Sequence, residues 1–343
     1  MEFSLFNLMT LPSSGVSHAE VFQQTRTLVS MAEEGGFDVA WMAEHHLSSY
    51  SISSSPLSLC SHMAGYTKRI KLGPAVVVLP FYEPLRLIED IFMTDQLLEG
   101  RFVLGLGTGY QPREFEKFDI PYGRRLEHGL EIWAALLQAQ ETGVIDFDGE
   151  FVSIRDAALS IEPFQQTIPT FVVGSAPEIR RLIIKRGATA LMTPGLAPPA
   201  VISTVRDLLS ETAAETGKID DFPYAVQRMV FVTKDKDQLV PAAKEALRHG
   251  RYATNMRQEQ PAMTGAVLES TPFEGEPSVD EILDRCLIGG PEEVAEQLIG
   301  ELSTNRITHF SAFMQFADMP YGLVQKSMEL FIEEVMPAVK SRL

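Results

Sequence analysis

At 343 residues with 45% apolar content, the chain can bury a large core, either as one α/β barrel or as two ordinary domains. A formal net charge of −17 and a pI near 4.9 argue against a nucleic-acid or anionic-membrane partner, both of which need clustered Lys and Arg. No segment approaches the roughly eighteen uninterrupted apolar residues of a membrane span. The start, Met1-Glu2-Phe3-Ser4-Leu5-Phe6, lacks the basic region of an export signal, so a cytoplasmic protein is expected, with Cys60 and Cys286 as free thiols.

In chain order, residues 1–9 form an apolar run suited to a buried strand. Residues 17–34 then show helical spacing through Val21, Thr25, Leu28, Val29, Met31 and Ala32, stopped by Gly35-Gly36. Strand-like 37–43, helical 55–67 and the β-branched run 70–78 follow. The alternation continues with a helix near 83–98, a strand at 101–107 and a helix near 122–140. Residues 145–163 read as a small β excursion. Strands at 169–174 and 188–192, a helix at 198–216 and strands at 224–232 and 307–314 bring the strand count to eight. Eight strands favour a (β/α)8 TIM-type barrel, one domain over 1–343, above an open sheet. The rhythm breaks between about 251 and 285. A long insertion after the seventh strand emerges on the catalytic face of such a barrel, so this stretch reads as a lid.

Glu44-His45-His46 lies just past the second strand, where a barrel strand meets its loop, and three acid/base-capable side chains there call for a functional reading. The alternative is that Glu44 ties down the loop and the histidines fill space. Extended backbone points His45 and His46 to opposite sides, so one of them is expected to face a bound molecule. Adjacent histidines also suggest a metal, but barrel metal sites favour His-X-His on one strand face. Beyond His309 at a strand start, no partner is evident, and no metal is expected. Arg113, Glu114 and Glu116 read as a solvated helix face. Arg251 and Arg257 in the insertion are charged enough to close over a phosphate, although such residues usually face water.

Several segments agree in order and spacing with one family. They are Gly36-Phe37-Asp38 through Glu44-His45-His46, Val78-Leu79-Pro80 with Pro84, Arg86, Glu89-Asp90 and Asp95-Gln96, Gly100-Arg101-Phe102 with Gly105, and Ile288-Gly289-Gly290-Pro291-Glu292-Glu293. From Phe3 to Val335-Met336-Pro337 the chain resembles the bacterial luciferase-like family of flavin-dependent monooxygenases, whose fold is a TIM-type barrel. The resemblance implies a reaction in which reduced FMN, delivered by a separate flavin reductase, meets O2, forms a flavin C4a-peroxide and oxygenates a small, mainly apolar substrate. Light emission is not implied. It also implies a homodimer, with the helix near 83–98 as a candidate interface. Two other readings keep the barrel: hydride transfer with the deazaflavin F420, and a non-catalytic flavin-binding subunit.

On this resemblance His45 matches the catalytic histidine, with Glu44 and His46 orienting or packing it. An imidazole titrating near neutrality takes and returns a proton. Ala75-Val76 aligns with a non-proline cis peptide beneath the flavin ring. The glycine turn at 105–109, with Gly107 and Thr108, is where the ribityl phosphate passes, although Thr108 stands where luciferase has a phosphate-binding Arg. That leaves Arg124 or Arg125 as the main cation. Gly174, Ser175 and Ala176, ahead of a helix starting near Pro177, offer a hydroxyl and free amides to the phosphate, while Glu178 replaces a phosphate-contacting Thr. Tyr110 is placed to reach flavin or substrate. A site that shelters such an intermediate must be dry, and Phe6, Met9, Leu79, Phe81, Met192, Phe313 and Met314 lie at or near strand ends as pocket candidates, or as ordinary core.

Overall fold

The computed structural model describes residues 1–13 and 15–343. Eight parallel staves form a barrel: β1 (Glu2–Asn7), β2 (Val39–Met42), β3 in two halves (Lys71–Pro74 and Val77–Val78), β4 (Leu104–Gly107), β5 (Thr170–Val173), β6 (Thr189–Met192), β7 (Tyr224–Val232) and β8 (His309–Phe313). Each pairs in parallel with its sequence neighbours, and β8 pairs back onto β1 from Glu2↔His309 to Phe6↔Phe313. The ring closes where the two halves of β3 meet β4, through a Leu72–Phe102 bridge and the Val77–Val78 pairing. The expected run 70–78 is thus one stave broken at Ala75-Val76, where the peptide is cis. Gly105 permits this junction, because a Cβ there would lie 2.1 Å from the Pro74 carbonyl oxygen.

Helices α1 (His18–Glu34), α2 (Pro56–Ala64), α3 (Pro84–Leu97), α4 (Pro112–Lys117) and α5 (Arg125–Thr142) cover the first half of the ring. The second half carries α6 (Pro177–Arg186), α7 (Ala200–Glu215), α8 (Leu239–Asn255), α9 (Val279–Arg285), α10 (Pro291–Asn305) and α11 (Tyr321–Leu330). Their starts are written in the sequence. Ser17 and Glu20 form a capping box on α1, and Glu83 accepts the amides of Leu85 and Arg86 ahead of Pro84 on α3. Alternation along the staves sends Phe3 and Phe310 outside the ring, where they pack with Phe331 of the C-terminal helical segment at centroid distances of 6.1–6.2 Å.

The excursion is an antiparallel hairpin, Val144–Asp148 with Ser153–Ala158, and the Glu131 carboxylate collects the amides of Glu150, Phe151 and Val152 at its tip. Between 251 and 285 the irregular stretch is shorter than expected. Helix α8 runs on to Asn255 and α9 occupies the end, leaving a small hairpin, Met263–Thr264 with Val267–Leu268, between them. A short strand, Leu287–Gly289, pairs with the outer half of β7. Among the described residues no helix is long and apolar enough to cross a membrane. Cys60 and Cys286 are free and buried, and burial pushes both thiols up, Cys286 to about 11.

Candidate active site

At the carboxyl end of β2 the chain is fixed by its own backbone. The Ala43 amide donates to the Asn7 carbonyl (3.1 Å), the His45 amide donates to the Ser53 carbonyl (2.9 Å), and the Ser53 hydroxyl returns to the Ala43 carbonyl. Glu44, 3% exposed, accepts the Val78 amide at 2.9 Å on one oxygen and faces His46 Nε2 at 3.0 Å on the other, tying β2 to β3. Burial raises the Glu44 pKa, with its contacts to His46, Val78 and Tyr82 opposing the shift.

His45 and His46 diverge as extended backbone requires. His46 packs against Phe81 and Phe118, with centroids at 5.5 and 5.0 Å, while His45 turns to Tyr50 and Tyr110 at 4.9 and 5.9 Å. Tyr50 stacks on His249 of α8, which meets Phe313 edge-on, and Phe313 meets Phe6. One aromatic train therefore leads from His45 into the lumen. The expectation of a histidine titrating near neutrality fails. Burial, helped by the His46 and His249 charges, lowers the His45 pKa to about 3, so it stays neutral at physiological pH. His249 falls to about 4 by burial.

Helix α4 departs most from expectation. Arg113 and Glu116 lie on its outer side, but Glu114 is no solvated residue. It is 3% exposed beneath the 44–47 segment, and its Oε1 accepts the His46 amide at 2.7 Å. Burial lifts its pKa to about 7 against the pull of that amide. Gln111, just ahead of α4 and 4% exposed, places its amide nitrogen 2.7 Å from His45 Nδ1. Tyr110 is half-buried beside His45 and pushed up to about 12, mainly by desolvation, with the Arg257 guanidinium 5.5 Å over its ring.

The other expected residues divide. Gly107 follows the cis junction, and a Cβ on it would meet Val76 at 2.6 Å, so bare backbone borders Ala75 and Val76 there. The Thr108 methyl faces Gly129 of α5, and Leu79 points to the same helix. Arg124 is a poor phosphate cation because it lies exposed in ion pairs with Glu150 and Glu127, whereas Arg125 bonds the Gly109 carbonyl at 3.2 Å. Arg251 is held by Glu276. Gly174, Ser175 and Ala176 lead into α6, whose first intrahelical bond, Arg180 to Ala176, leaves the Glu178 and Ile179 amides ahead of it. Met9 is buried in a left-handed turn beyond β1, and Met314 is buried past β8. Met192 shares register with Val226, on the side opposite Leu191 and Ala225, which line the barrel floor, so it faces the helix layer. His309 sits at that floor, 3.6 Å from Glu2 and remote from His45. Among the described residues no group of three or more His, Cys, Asp or Glu is placed to hold a metal ion.

A cleft of about 250 Å³ opens beside His45 between the 47–54 segment and the tip of the 263–268 hairpin, where Ala266 and Val267 border it. Ser49 pins that tip, donating its amide to the Ala266 carbonyl (2.7 Å) and accepting the Leu268 amide on its hydroxyl (3.0 Å).

A family model described as luciferase-like monooxygenase matches residues 1–305. The chain belongs to that family. It is similar to the alkanal monooxygenase alpha chain of Photobacterium leiognathi, 26% identical over 340 residues that cover 95% of this chain and 96% of the relative. Among solved structures, the FMN complex of the oxygenating constituent of 3,6-diketocamphane monooxygenase from Pseudomonas putida superposes with a TM-score of 0.77 at 20% identity, covering 98% of each chain. An F420-dependent secondary alcohol dehydrogenase superposes equally well, with a TM-score of 0.78 at 17% identity and 98% coverage of each chain. The same barrel fold thus occurs in an FMN-bound and in an F420-dependent protein.

Sequence reasoning missed Gln111, Glu114, Tyr50 and His249. The one local signal was the Gln111-Pro112 step opening a helix directly after the glycine turn.

Proposed function

We propose that this protein is the oxygenase component of a two-component FMNH2-dependent monooxygenase, taking reduced FMN from a separate flavin reductase and using O2 on a small, mainly apolar substrate. The observation that carries this reading is a neutral, partly buried His45 at the strand-end mouth, beside bare backbone at Gly107 and a helix N-terminus at Ser175–Ala176. Such a mouth fits a flat ring system with a phosphate tail. Gly107, Ala75 and Val76 would border the ring, and Ser175 with the α6 amides would take the phosphate, aided by Arg125 near Gly109. When bound, reduced FMN supplies two electrons and the site of oxygen activation, so that one oxygen atom enters the substrate and the other leaves as water.

The protein's own part is to hold, dry and orient. Tyr50, Tyr110, Phe6 and Phe313 keep water from the mouth, and the pinned 263–268 hairpin serves as the lid over the cleft. That cleft, with Leu11, Leu47 and Ile52 on its walls and no Asp, Glu, Lys or Arg among its lining residues, suits an uncharged substrate. Met93 and Leu97 stay exposed on α3 as the seam for a homodimer, while its other apolar residues pack on the barrel; sedimentation equilibrium tests this. We place the protein in the cytoplasm.

The deciding experiment is anaerobic titration with reduced FMN and, separately, reduced F420, followed by oxygen uptake. Saturable binding of FMNH2 with rapid oxygen uptake supports the proposal. Binding of F420 alone, with no oxygen uptake, would replace it with hydride transfer.

A further inference from the structure

Two groups compete for His45 Nδ1. The Glu114 carboxylate would draw a proton onto that nitrogen, but its near oxygen lies 3.9 Å away and already accepts the His46 amide at 2.7 Å. The Gln111 amide nitrogen, at 2.7 Å, is a donor, and Nδ1 meets it only with a lone pair. A neutral imidazole that accepts at Nδ1 carries its proton on Nε2. Among the described residues Nε2 has no hydrogen-bond partner, and 13% of the side chain reaches solvent.

We infer that Gln111 is a positioning residue that pins His45 as the Nε2–H tautomer, so that His45 offers the cleft a hydrogen-bond donor and not a basic lone pair. The inference rests on the reading of His45 as the group at the reacting centre, and it reverses the polarity expected of a histidine base. A neutral imidazole N–H stabilises negative charge developing on a nearby oxygen without carrying a charge that could release its proton to the site. The groups facing His45 are consistent with this. Tyr50 and Tyr110 meet His45 in T-shaped contacts, His46 turns away to Phe81 and Phe118, His249 stacks on the far side of Tyr50, and the Arg257 guanidinium lies over Tyr110.

The test is nitrogen NMR of the whole protein with labelled histidine, all seven assigned by single substitutions. In the unmodified protein at mildly alkaline pH, His45 Nδ1 should resonate in the pyridine-like range and Nε2 in the pyrrole-like range. The reverse assignment overturns the inference without recourse to any variant. Gln111→Met removes the donor and should give mixed tautomers; an unchanged Nε2–H signal means that Gln111 does not set it. Gln111→Glu puts an acceptor at Nδ1 and should move the proton there. With it kcat should fall at least about tenfold, within the 10²–10⁴-fold that positioned proton-handling groups commonly contribute, while KM moves less than about twofold. If the proton moves and turnover does not, the pinning stands and the assignment of His45 to the reacting centre falls.

Discussion

Glu114→Gln isolates what it costs to ionise a carboxyl sealed under the active-site loop. Burial raises its pKa from 4.5 to about 7, and the glutamine amide keeps an oxygen for the His46 N–H that Glu114 now accepts at 2.7 Å. Because the folded-state pKa lies above the unfolded one, the folded protein binds the extra proton between pH 4.5 and 7. The contribution is fully present below 4.5 and is lost as pH rises through 7. Above that window the folded state carries a penalty of about 3 kcal/mol, accumulated at about 1.4 kcal/mol per pH unit.

His45 and His249 have the opposite sign. Their pKa values fall to about 3 and about 4 from 6.5, so their contribution grows as pH rises toward 6.5. Glu114 is not among the causes of either shift, so subtracting the curves of the two proteins removes both histidines and leaves the Glu114 term with its coupling to Glu44 and His46. Urea unfolding followed by circular dichroism from about pH 4.5 to about pH 8 should show Glu114→Gln gaining about 3 kcal/mol on the unmodified protein across the series. A difference that stays flat with pH would mean that Glu114 ionises as freely as a surface residue, and the packing described around α4 would be wrong.

Three further outcomes are expected. His45→Ala should cut coupled turnover by about 10²–10⁴-fold while the reduced-FMN dissociation constant changes by less than about threefold; equal losses in both would make His45 a binding residue only. Ser175→Ala should lower the preference for FMN over riboflavin about fivefold, roughly one hydrogen bond, in paired fluorescence titrations, and no change would move the phosphate away from α6. Arg228, 3% exposed on β7 and 2.9 Å from Glu301, should cost about 3–5 kcal/mol as Arg228→Met, because Glu301 is left buried without its cation. The pair Arg228→Met with Glu301→Leu should recover most of that loss in urea unfolding.

Elements that repeat locally were legible in the sequence. Alternating β-branched runs, Gly35-Gly36 after α1 and Pro84 at the start of α3 act within a few residues, and the eight staves follow from them. Helices α8, α9, α10 and α11 were not assigned from the sequence. Distance along the chain separated the two halves of the site. Glu44, His45 and His46 stand together in the chain, whereas Gln111 reaches His45 across 66 residues, Glu114 reaches His46 across 68, and His249 reaches Tyr50 across 199. Glu114 shares a six-residue helix with Arg113 and Glu116, and charge pattern alone makes all three solvated. Only closure of the ring, which lays the 44–47 segment over the first turn of α4, separates it from its neighbours.

Nonlocality of that kind decides chemistry as well as placement. His45 as a sequence position implies an imidazole near neutrality, ready to accept a proton. Folded, it has lost water to Tyr50, Tyr110 and the lumen, and its pKa has dropped to about 3. A side chain that hard to protonate cannot serve as a resting-state base in the ordinary sense, yet the same desolvation strengthens every hydrogen bond it donates. The residue type named the position, and the residues packed around it changed how readily it takes a proton.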